Sequence, residues 1–182
     1  VQPRLVYLSQ PTEFGTLYSL KELEDIRAIC KEYDLSLYID GARLAYALAC
    51  PENDVSLADL GRLCDAFYIG GTKCGALFGE AVVIPQKVKF PFFPTTIKQH
   101  GALLAKGKAL GVQFDALFTD DLYLQIGKHA IKMADKIRTK IEEKAIPFAI
   151  NSPTNQIFVL LEKSEVERIG KQVELTHWDD TD

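Results

Sequence analysis

The sequence has no uninterrupted apolar run long enough to cross a bilayer, and its start shows neither the charged segment nor the apolar stretch of a secretory signal. It also has no excess of basic residues, because 21 Lys and Arg stand against 25 Asp and Glu and the net charge is -4. Both signs are mixed along the chain, so no basic face for a phosphate backbone is predicted. We expect a cytoplasmic protein that binds neither nucleic acid nor a membrane.

Cysteines at metal-binding spacing are also missing. The four cysteines, Cys30, Cys50, Cys64 and Cys74, stand singly beside apolar residues, without a C-x-x-C pair or a neighbouring histidine. A zinc site needs such spacing, so we predict no metal centre and expect buried, reduced thiols. The glycine patterns of nucleotide-binding loops, G-x-G-x-x-G and Walker A, do not occur either, which argues against a nucleotide-binding domain.

Apolar segments of strand and helix length alternate through the first half of the chain. Residues 5–9, 35–39 and 66–69 are typical of buried strands, and Ser19 and Ser56 each start a helix with an acidic residue three positions later. Because βαβ connections keep consecutive strands parallel, the pattern predicts an α/β fold with a mostly parallel sheet and helices on both faces. The carboxyl ends of such strands meet at one sheet edge, where open α/β sheets bind ligands.

The composition changes after the prolines that end at residue 94. Residues 97–117 form a long Ala/Leu/Lys stretch, and residues 120–144 carry apolar side chains at helical spacing. Two short apolar runs and a final helix follow, which predicts a small α+β domain. We therefore assign residues 1–119 to part of a large α/β domain that lacks its N-terminal portion, and residues 120–182 to part of a small C-terminal domain.

The end of the second strand carries a candidate functional carboxylate. Asp40 ends this strand, and Arg43 follows three positions later. An ionised carboxylate beside an apolar core requires a cation or strong hydrogen-bond donors, and a protonated ring nitrogen would meet that need. The alternative is that Asp40 caps the turn and pairs with Arg43, and the Asp-Gly sequence alone favours this alternative.

Lys73 follows the third strand in a segment rich in small residues. Gly70, Gly71, Gly75 and Gly79 surround it. Glycine keeps side-chain bulk away from the backbone, so we predict open space for a flat group beside this lysine. Small and apolar neighbours would also desolvate the amine and keep it neutral, as a nucleophilic lysine requires. The alternative is an ordinary surface lysine that extends into solvent.

Three segments place these candidate residues in a recognisable order. They are residues 9–19 (SQPTEFGTLYS), 38–44 (YIDGARL) and 67–80 (FYIGGTKCGALFGE). In this order and spacing they resemble the threonine aldolase and β-eliminating lyase family of pyridoxal 5′-phosphate (PLP) enzymes. Residues 96–106 and 120–123 are similar as well, so the resemblance extends from residue 1 to about residue 161. The combination is specific, although no single motif is.

The resemblance implies a three-layer fold like that of aspartate aminotransferase (fold type I), PLP as cofactor, and Lys73 as the Schiff-base lysine. Asp40 would keep the pyridine nitrogen protonated, and Arg43 would lie beside the ring and help to bind the substrate carboxylate. Thr72 would touch the cofactor phosphate. The implied reaction is aldol cleavage of threonine, allo-threonine or another β-hydroxy-α-amino acid to glycine and an aldehyde, and the implied assembly is a homodimer or homotetramer.

Some parts of the family pattern are not found. The family has a histidine near the cofactor that precedes the Asp-Gly-Ala-Arg segment, whereas His100, His129 and His177 all follow Lys73. An early phosphate-binding turn and a late arginine in a closing strand are not seen either. We therefore expect an incomplete enzyme that binds PLP weakly or not at all when isolated. Two alternatives stay open: a β-eliminating amino-acid lyase, and a non-catalytic remnant of such an enzyme.

Overall fold

The computed structural model describes residues 2–85 and 89–178, so residue 1 and the last four residues of the predicted small domain lie outside the described residues. In chain order the elements are β1 (Leu5–Ser9), α1 (Leu20–Glu32), β2 (Ser36–Asp40), α2 (Leu44–Ala49), α3 (Leu57–Leu63), β3 (Ala66–Gly70), β4 (Glu80–Val83), α4 (Phe93–Gln99), α5 (Lys108–Phe118), α6 (Leu122–Glu143), β5 (Phe148–Ile150), β6 (Phe158–Val159) and α7 (Lys163–Ile169). A short 3-10 turn, Thr119–Asp121, precedes α6.

Strands β1 to β4 form one sheet in chain order. β1, β2 and β3 are parallel, and β4 runs antiparallel to β3. The parallel strands are joined through helices, because a parallel connection has to return the chain to the same end of the sheet. The predicted α/β class with a mostly parallel sheet is therefore confirmed. β5 and β6 form a separate antiparallel pair near the end of the described chain.

The helices bury one face of the main sheet. Leu37, Ile39, Phe67 and Ile69 project from this face into a single apolar cluster that includes side chains of α1, α2, α3 and α6. The alternate residues project from the other face, where Tyr7 is 54% exposed. The sequence predicts a buried β1, and this prediction is wrong for the β1 side chains on the second face, such as Tyr7. Among the described residues β1 lies at the sheet edge and pairs with β2 alone.

Two helices begin where the sequence predicts them. The side chains of Ser19 and Ser56 accept hydrogen bonds from backbone N–H groups three residues on, and both capping boxes are complete. Helix α2 was not predicted, because a helix of six residues is too short for a periodic apolar pattern. The stretch 97–117 holds two separate helices, and Gly101, with a φ of +70°, lies in the break after α4. Within the described part of the chain, no helix is both long and apolar enough to cross a membrane.

Helix α6 packs directly against α2. A Cβ atom on Gly127 would lie 2.3 Å from the backbone carbonyl oxygen of Ala45, so glycine is needed for this approach. Tyr123 and Ile131 lie on either side of Gly127 along α6 and are buried in the same cluster as the sheet. The first half of α6 thus contributes to the core of the α/β layer. The division into two domains at residue 119 stays a prediction.

We expect Gly127→Ala to lower the free energy of unfolding by about 1–3 kcal/mol, because the added methyl group overpacks the contact between α2 and α6. The helix preference for alanine, about 0.5–1 kcal/mol, acts in the opposite direction and is smaller. Gly111 in α5 is the matched control, since a Cβ atom there meets nothing within 4 Å. Gly111→Ala should therefore raise stability slightly. Urea unfolding measures both variants, and a Gly127→Ala protein as stable as wild type would contradict the close contact.

Candidate active site

The carboxyl ends of β2 and β3 bring Asp40 and the loop that carries Lys73 to one edge of the sheet. Asp40 is the last residue of β2, and Gly70 is the last residue of β3. The backbone N–H of Gly70 donates to the carbonyl oxygen of Gly41 at 2.8 Å, which ties the two strand ends together. The positive charge of Lys73 acts on the Asp40 carboxylate. The structure thus brings these two candidate residues together at one sheet edge.

Three donors hold the Asp40 carboxylate. The backbone N–H of Ala42 donates to Oδ1 at 2.8 Å, and the Tyr7 hydroxyl donates to Oδ2. The Tyr68 hydroxyl also stabilises the charged form of this carboxylate. Partial burial by itself raises the pKa of Asp40, but these three groups and the charge of Lys73 outweigh burial and lower this pKa below its ordinary value. Asp40 is therefore ionised at neutral pH.

Arg43 pairs with Glu13 and not with Asp40. Its Nη1 atom donates to Oε2 of Glu13 at 3.1 Å. The sequence offered the alternative that Asp40 caps the turn and pairs with Arg43. Asp40 does cap the turn, because it accepts from the Ala42 N–H, but the predicted ion pair with Arg43 is wrong. Arg43 lies directly before α2, where its side chain reaches the turn that follows β1. Glu13 is 30 positions away in the sequence, and no local pattern indicates this contact.

Three tyrosines accompany Asp40 on the exposed face of the sheet. Tyr7, Tyr38 and Tyr68 are each the third residue of a five-residue strand. The ring centroids of Tyr7 and Tyr38 are 5.6 Å apart, and those of Tyr38 and Tyr68 are 6.3 Å apart. Side chains alternate across a strand, so a residue two positions before the strand end shares its face with the last residue. This repeated position is the signal that could have predicted the tyrosines around Asp40.

The Tyr7 hydroxyl is expected to ionise late in an alkaline titration. Its hydrogen bond to Asp40, with burial as the second cause, raises the pKa of Tyr7 from 10.0 to about 12. Because the folded-state pKa is the higher one, this stabilisation is present below about pH 10 and is lost as the pH rises to about 12. Ultraviolet phenolate titration of the wild type and Asp40→Asn measures the shift. Identical curves would contradict the prediction, since removal of the anion should move Tyr7 to lower pH.

Lys73 is exposed, on a loop that is held through its backbone. The Tyr46 hydroxyl donates to the carbonyl oxygen of Lys73. The Cys74 thiol and the Tyr123 hydroxyl both donate to the carbonyl oxygen of Gly70, at 2.9 and 3.0 Å. The predicted apolar enclosure of Lys73 is therefore wrong. The apolar neighbour Cys74 points into the core, while the lysine side chain points to solvent.

The glycines around Lys73 do not leave open space. A Cβ atom on Gly71 would lie 2.6 Å from the carbonyl oxygen of Gly79, and one on Gly79 would lie 2.1 Å from the Leu110 side chain. Gly75 has a φ of +109°, a backbone conformation that L side chains rarely adopt. The prediction that these glycines make room for a flat group is therefore wrong. They let the loop fold tightly on itself and against α5.

Thr72 belongs to a contact with Glu80 at the start of β4. Its hydroxyl donates to Oε1 of Glu80 at 3.1 Å, and the backbone N–H of Gly71 donates to Oε2 at 2.6 Å. This carboxylate closes the loop between β3 and β4. A role for Thr72 at the cofactor phosphate stays a prediction, and it requires the hydroxyl to turn away from Glu80.

The cysteines are buried as the sequence predicts, and two of the histidines lie on the surface. All four cysteine thiols are buried, and burial raises the pKa of the Cys30 and Cys74 thiols. His100 follows the last residue of α4 and His129 lies on α6, and both are exposed. The core thiols therefore play a packing role.

The turn that carries Glu13 is anchored to the C-terminal part of the chain. The side-chain amide of Gln156 donates to the carbonyl oxygen of Glu13 at 2.8 Å. The hydroxyls of Ser152 and Thr154 both donate to the carbonyl oxygen of Gly15 at 3.1 Å. A Cβ atom on Gly15 would lie 2.2 Å from the Ser152 hydroxyl oxygen, so only glycine permits this approach. Contacts from both predicted domains therefore fix the turn.

Three aromatic rings pack beside the same turn. Phe14, Phe158 and Trp178 lie edge to face, with centroid separations of 5.3 to 5.9 Å. Trp178 is the one tryptophan of the chain. Edge-to-face packing is a favourable arrangement of aromatic rings. It attaches the end of the described chain to the residue next to Glu13.

The donor set around Asp40 fits a protonated pyridine nitrogen. An ionised carboxylate has about four acceptor positions. The hydrogen bonds from Ala42 and Tyr7 use two of them, and the Tyr68 hydroxyl stabilises the same charge. The carboxylate can therefore accept a further N–H donor, and Lys73 is exposed at the same sheet edge. The residues present therefore fit the ring end and the aldehyde of PLP.

Comparisons with known proteins agree with this arrangement. The family model of the beta-eliminating lyases matches residues 1–175. The chain is 32% identical over 171 residues to a low specificity L-threonine aldolase of Pseudomonas aeruginosa, and the match covers 92% of this chain and 49% of that protein. A solved structure of the Leishmania major threonine aldolase is 45% identical with a TM-score of 0.94, and the match covers 100% of this chain and 53% of that one.

A more distant solved structure shows the fold alone. The aromatic aminotransferase of Pyrococcus horikoshii is 18% identical with a TM-score of 0.64, over 93% of this chain and 48% of that one. The aminotransferase-like fold implied by the resemblance is therefore confirmed. The chain spans about half the length of the two curated Pseudomonas relatives that it matches. Because the family model matches nearly the whole sequence, the chain belongs to the beta-eliminating lyase family, whose members are PLP enzymes.

Proposed function

We propose that the protein is a PLP-dependent carbon–carbon lyase that cleaves threonine, allo-threonine or another β-hydroxy-α-amino acid to glycine and an aldehyde. The main support is the sheet edge that brings Asp40 at the end of β2 next to the loop of Lys73 after β3, in a chain 45% identical to a threonine aldolase. Since the chain spans about half the length of its relatives, the activity of the whole protein is part of the proposal.

The reaction breaks the bond between Cα and Cβ of the substrate. The β-hydroxyl gives its proton to a base, and its oxygen becomes the carbonyl oxygen of the aldehyde. The electron pair of the broken bond remains with Cα, which later takes up a proton to give glycine. When bound, PLP supplies an electron-withdrawing ring for this electron pair.

Lys73 and Asp40 have separate tasks in holding the cofactor. Lys73 would bind the aldehyde carbon covalently through its amine. Asp40 would accept a hydrogen bond from the pyridine nitrogen and keep it protonated. The lowered pKa of Asp40 supports this role, because the carboxylate stays charged over the neutral range. The hydrogen bonds from the Tyr7 hydroxyl and the Ala42 N–H keep the carboxylate in one orientation.

Arg43 would bind the α-carboxylate of the substrate. A guanidinium group offers two parallel N–H donors in a fixed geometry that matches a carboxylate. The Arg43 side chain lies near the sheet edge and is 21% exposed, so it is accessible from solvent and still held in place. Thr72 is proposed to contact the cofactor phosphate.

β-Elimination is the second candidate, because the family model that matches the chain is that of the beta-eliminating lyases. Product analysis separates the candidates. The protein is incubated with PLP and either L-threonine or L-allo-threonine, and the products are assayed. Glycine with acetaldehyde supports aldol cleavage, whereas ammonia with an α-keto acid supports elimination. A folded, PLP-loaded protein that forms neither would favour the third candidate, a non-catalytic remnant.

We also propose a homodimer or homotetramer in the cytoplasm. Four buried thiols are typical of a protein in a reducing compartment. The oligomeric state is carried over from the family resemblance, and light scattering of the purified protein tests it.

A further inference from the structure

We propose that Glu13 is a positioning residue for the reaction proposed above. It would fix the rotation of the Arg43 guanidinium so that its Nη2 and Nε hydrogens remain available to the substrate α-carboxylate. This inference rests on the proposed function only for the identity of that carboxylate. The contact between Glu13 and Arg43 is a separate structural observation.

The contact uses one edge of the guanidinium. Glu13 accepts from Nη1 of Arg43 at 3.1 Å, and among the described residues this is the one hydrogen bond that the Arg43 side chain makes. Arg27 is different, because Asp65 accepts from both its Nη1 and its Nη2, at 2.7 and 3.1 Å. A guanidinium has five N–H donors. Glu13 therefore leaves the Nη2 and Nε pair of Arg43 for a second, two-pronged carboxylate.

Several hydrogen bonds hold the backbone around Glu13 in place, so its carboxylate has a defined position relative to Arg43. The hydroxyls of Thr12 and Thr16 lie 2.6 Å apart and close the turn on one side. The backbone N–H of Thr12 donates to the carbonyl oxygen of Thr16 at 2.9 Å. Gln156 holds the carbonyl oxygen of Glu13 from the C-terminal segment. A carboxylate on such a turn can restrict the orientation of a partner side chain.

The other partner is fixed as well. Arg43 directly precedes Leu44, which begins α2 and is 1% exposed. The remaining freedom of the arginine lies mainly in its long side chain, and ordering such a side chain costs conformational entropy. The contact with Glu13 orders the Arg43 side chain before the substrate binds, so substrate binding does not have to order it. Preorganisation of this kind strengthens the binding of a ligand without any new contact to it.

The first test measures Arg43 without cofactor or turnover. Wild type, Glu13→Ala and Glu13→Gln are treated with phenylglyoxal, and modification of Arg43 is followed by peptide mass spectrometry. We expect Arg43 in Glu13→Ala to react about two- to fivefold faster, because the guanidinium loses the oxygen that accepts from Nη1, and this range fits the loss of one exposed side-chain contact. Glu13→Gln keeps an oxygen acceptor and should stay close to wild type. Arg27 is the internal control, and equal Arg43 rates in all three proteins would overturn the proposal.

The second test separates positioning from a general charge effect. For Glu13→Ala we expect the KM for the amino acid to rise about tenfold with kcat within about twofold, and Glu13→Gln should restore most of the loss. Glu143→Ala is the matched control, since Glu143 is exposed and pairs with Lys140. A lowered KM in Glu13→Ala would mean that Glu13 competes with the substrate, and Glu13→Gln behaving like Glu13→Ala would mean that charge alone matters. Either result overturns positioning.

The two proposals fail in different ways. A wild-type protein that shows no lyase activity counts against the proposed function. The rates of Arg43 modification still decide whether Glu13 orients the arginine, because that measurement needs neither PLP nor turnover.

Discussion

Lys73→Ala is expected to abolish both the covalent attachment of PLP and the lyase activity, with a loss in kcat of about 10⁴-fold or more. The reason is chemical, because alanine has no amine to bind the cofactor aldehyde. The protein is incubated with PLP, reduced with borohydride and digested, and the peptide that carries the reduced cofactor is identified by mass spectrometry. In the wild type, the label should be found on Lys73.

The control for this experiment is another exposed lysine. Lys136 lies on α6, well away in sequence from the Asp40 edge, and is exposed. Lys136→Ala should retain the label and the activity. Because PLP reacts slowly with many surface amines, the decisive comparison is the difference between these two variants. Equal labelling of wild type and Lys73→Ala would show that another lysine carries the cofactor, and the assignment of Lys73 would then be wrong.

Asp40→Asn is expected to lower kcat by about 10²- to 10³-fold, the usual effect of removing one strong electrostatic partner from an active site. The amide retains an oxygen for the Ala42 N–H but has no negative charge to keep a pyridine nitrogen protonated. The fold should therefore be preserved while the cofactor loses its ionic partner. Affinity for PLP, measured by titration of the protein, should fall together with kcat.

Asp115 supplies the matched substitution, since its side chain is exposed on α5. Asp115→Asn should bind PLP and turn over substrate as the wild type does. If Asp40→Asn retains full activity and full PLP affinity, the proposed interaction with the pyridine nitrogen is not made. The structural role of Asp40 in the turn would then be its main role.

Much of the fold was predictable because its signals are local. The capping boxes at Ser19 and Ser56 and the apolar runs of β2 and β3 involve neighbouring residues. Helix α2 gave no such signal because it is short. The exposure of β1 could not be predicted either, because an apolar run does not show which strand lies at the edge of a sheet.

The site was predictable only in part, for a related reason. Asp40 ends β2, and Lys73 lies in the loop that follows β3, the adjacent parallel strand, so topology alone brings them to one edge. The contact between Arg43 and Glu13 spans 30 positions, so no local pattern indicates it. The sequence instead suggested Asp40 as the partner of Arg43, because Asp40 is the nearer acidic residue. The glycines were misinterpreted because sequence does not tell whether the space beside a glycine is filled by a ligand or by protein.

The aromatic contact at the end of the described chain provides an optical probe. All tryptophan fluorescence of the protein originates from Trp178, because there is no second tryptophan. Its ring packs edge to face on Phe14, the residue after Glu13, with centroids 5.4 Å apart. A shift of the turn changes the environment of this indole and hence its emission. The unlabelled protein therefore reports movement of the turn in a fluorimeter, in active and inactive variants alike.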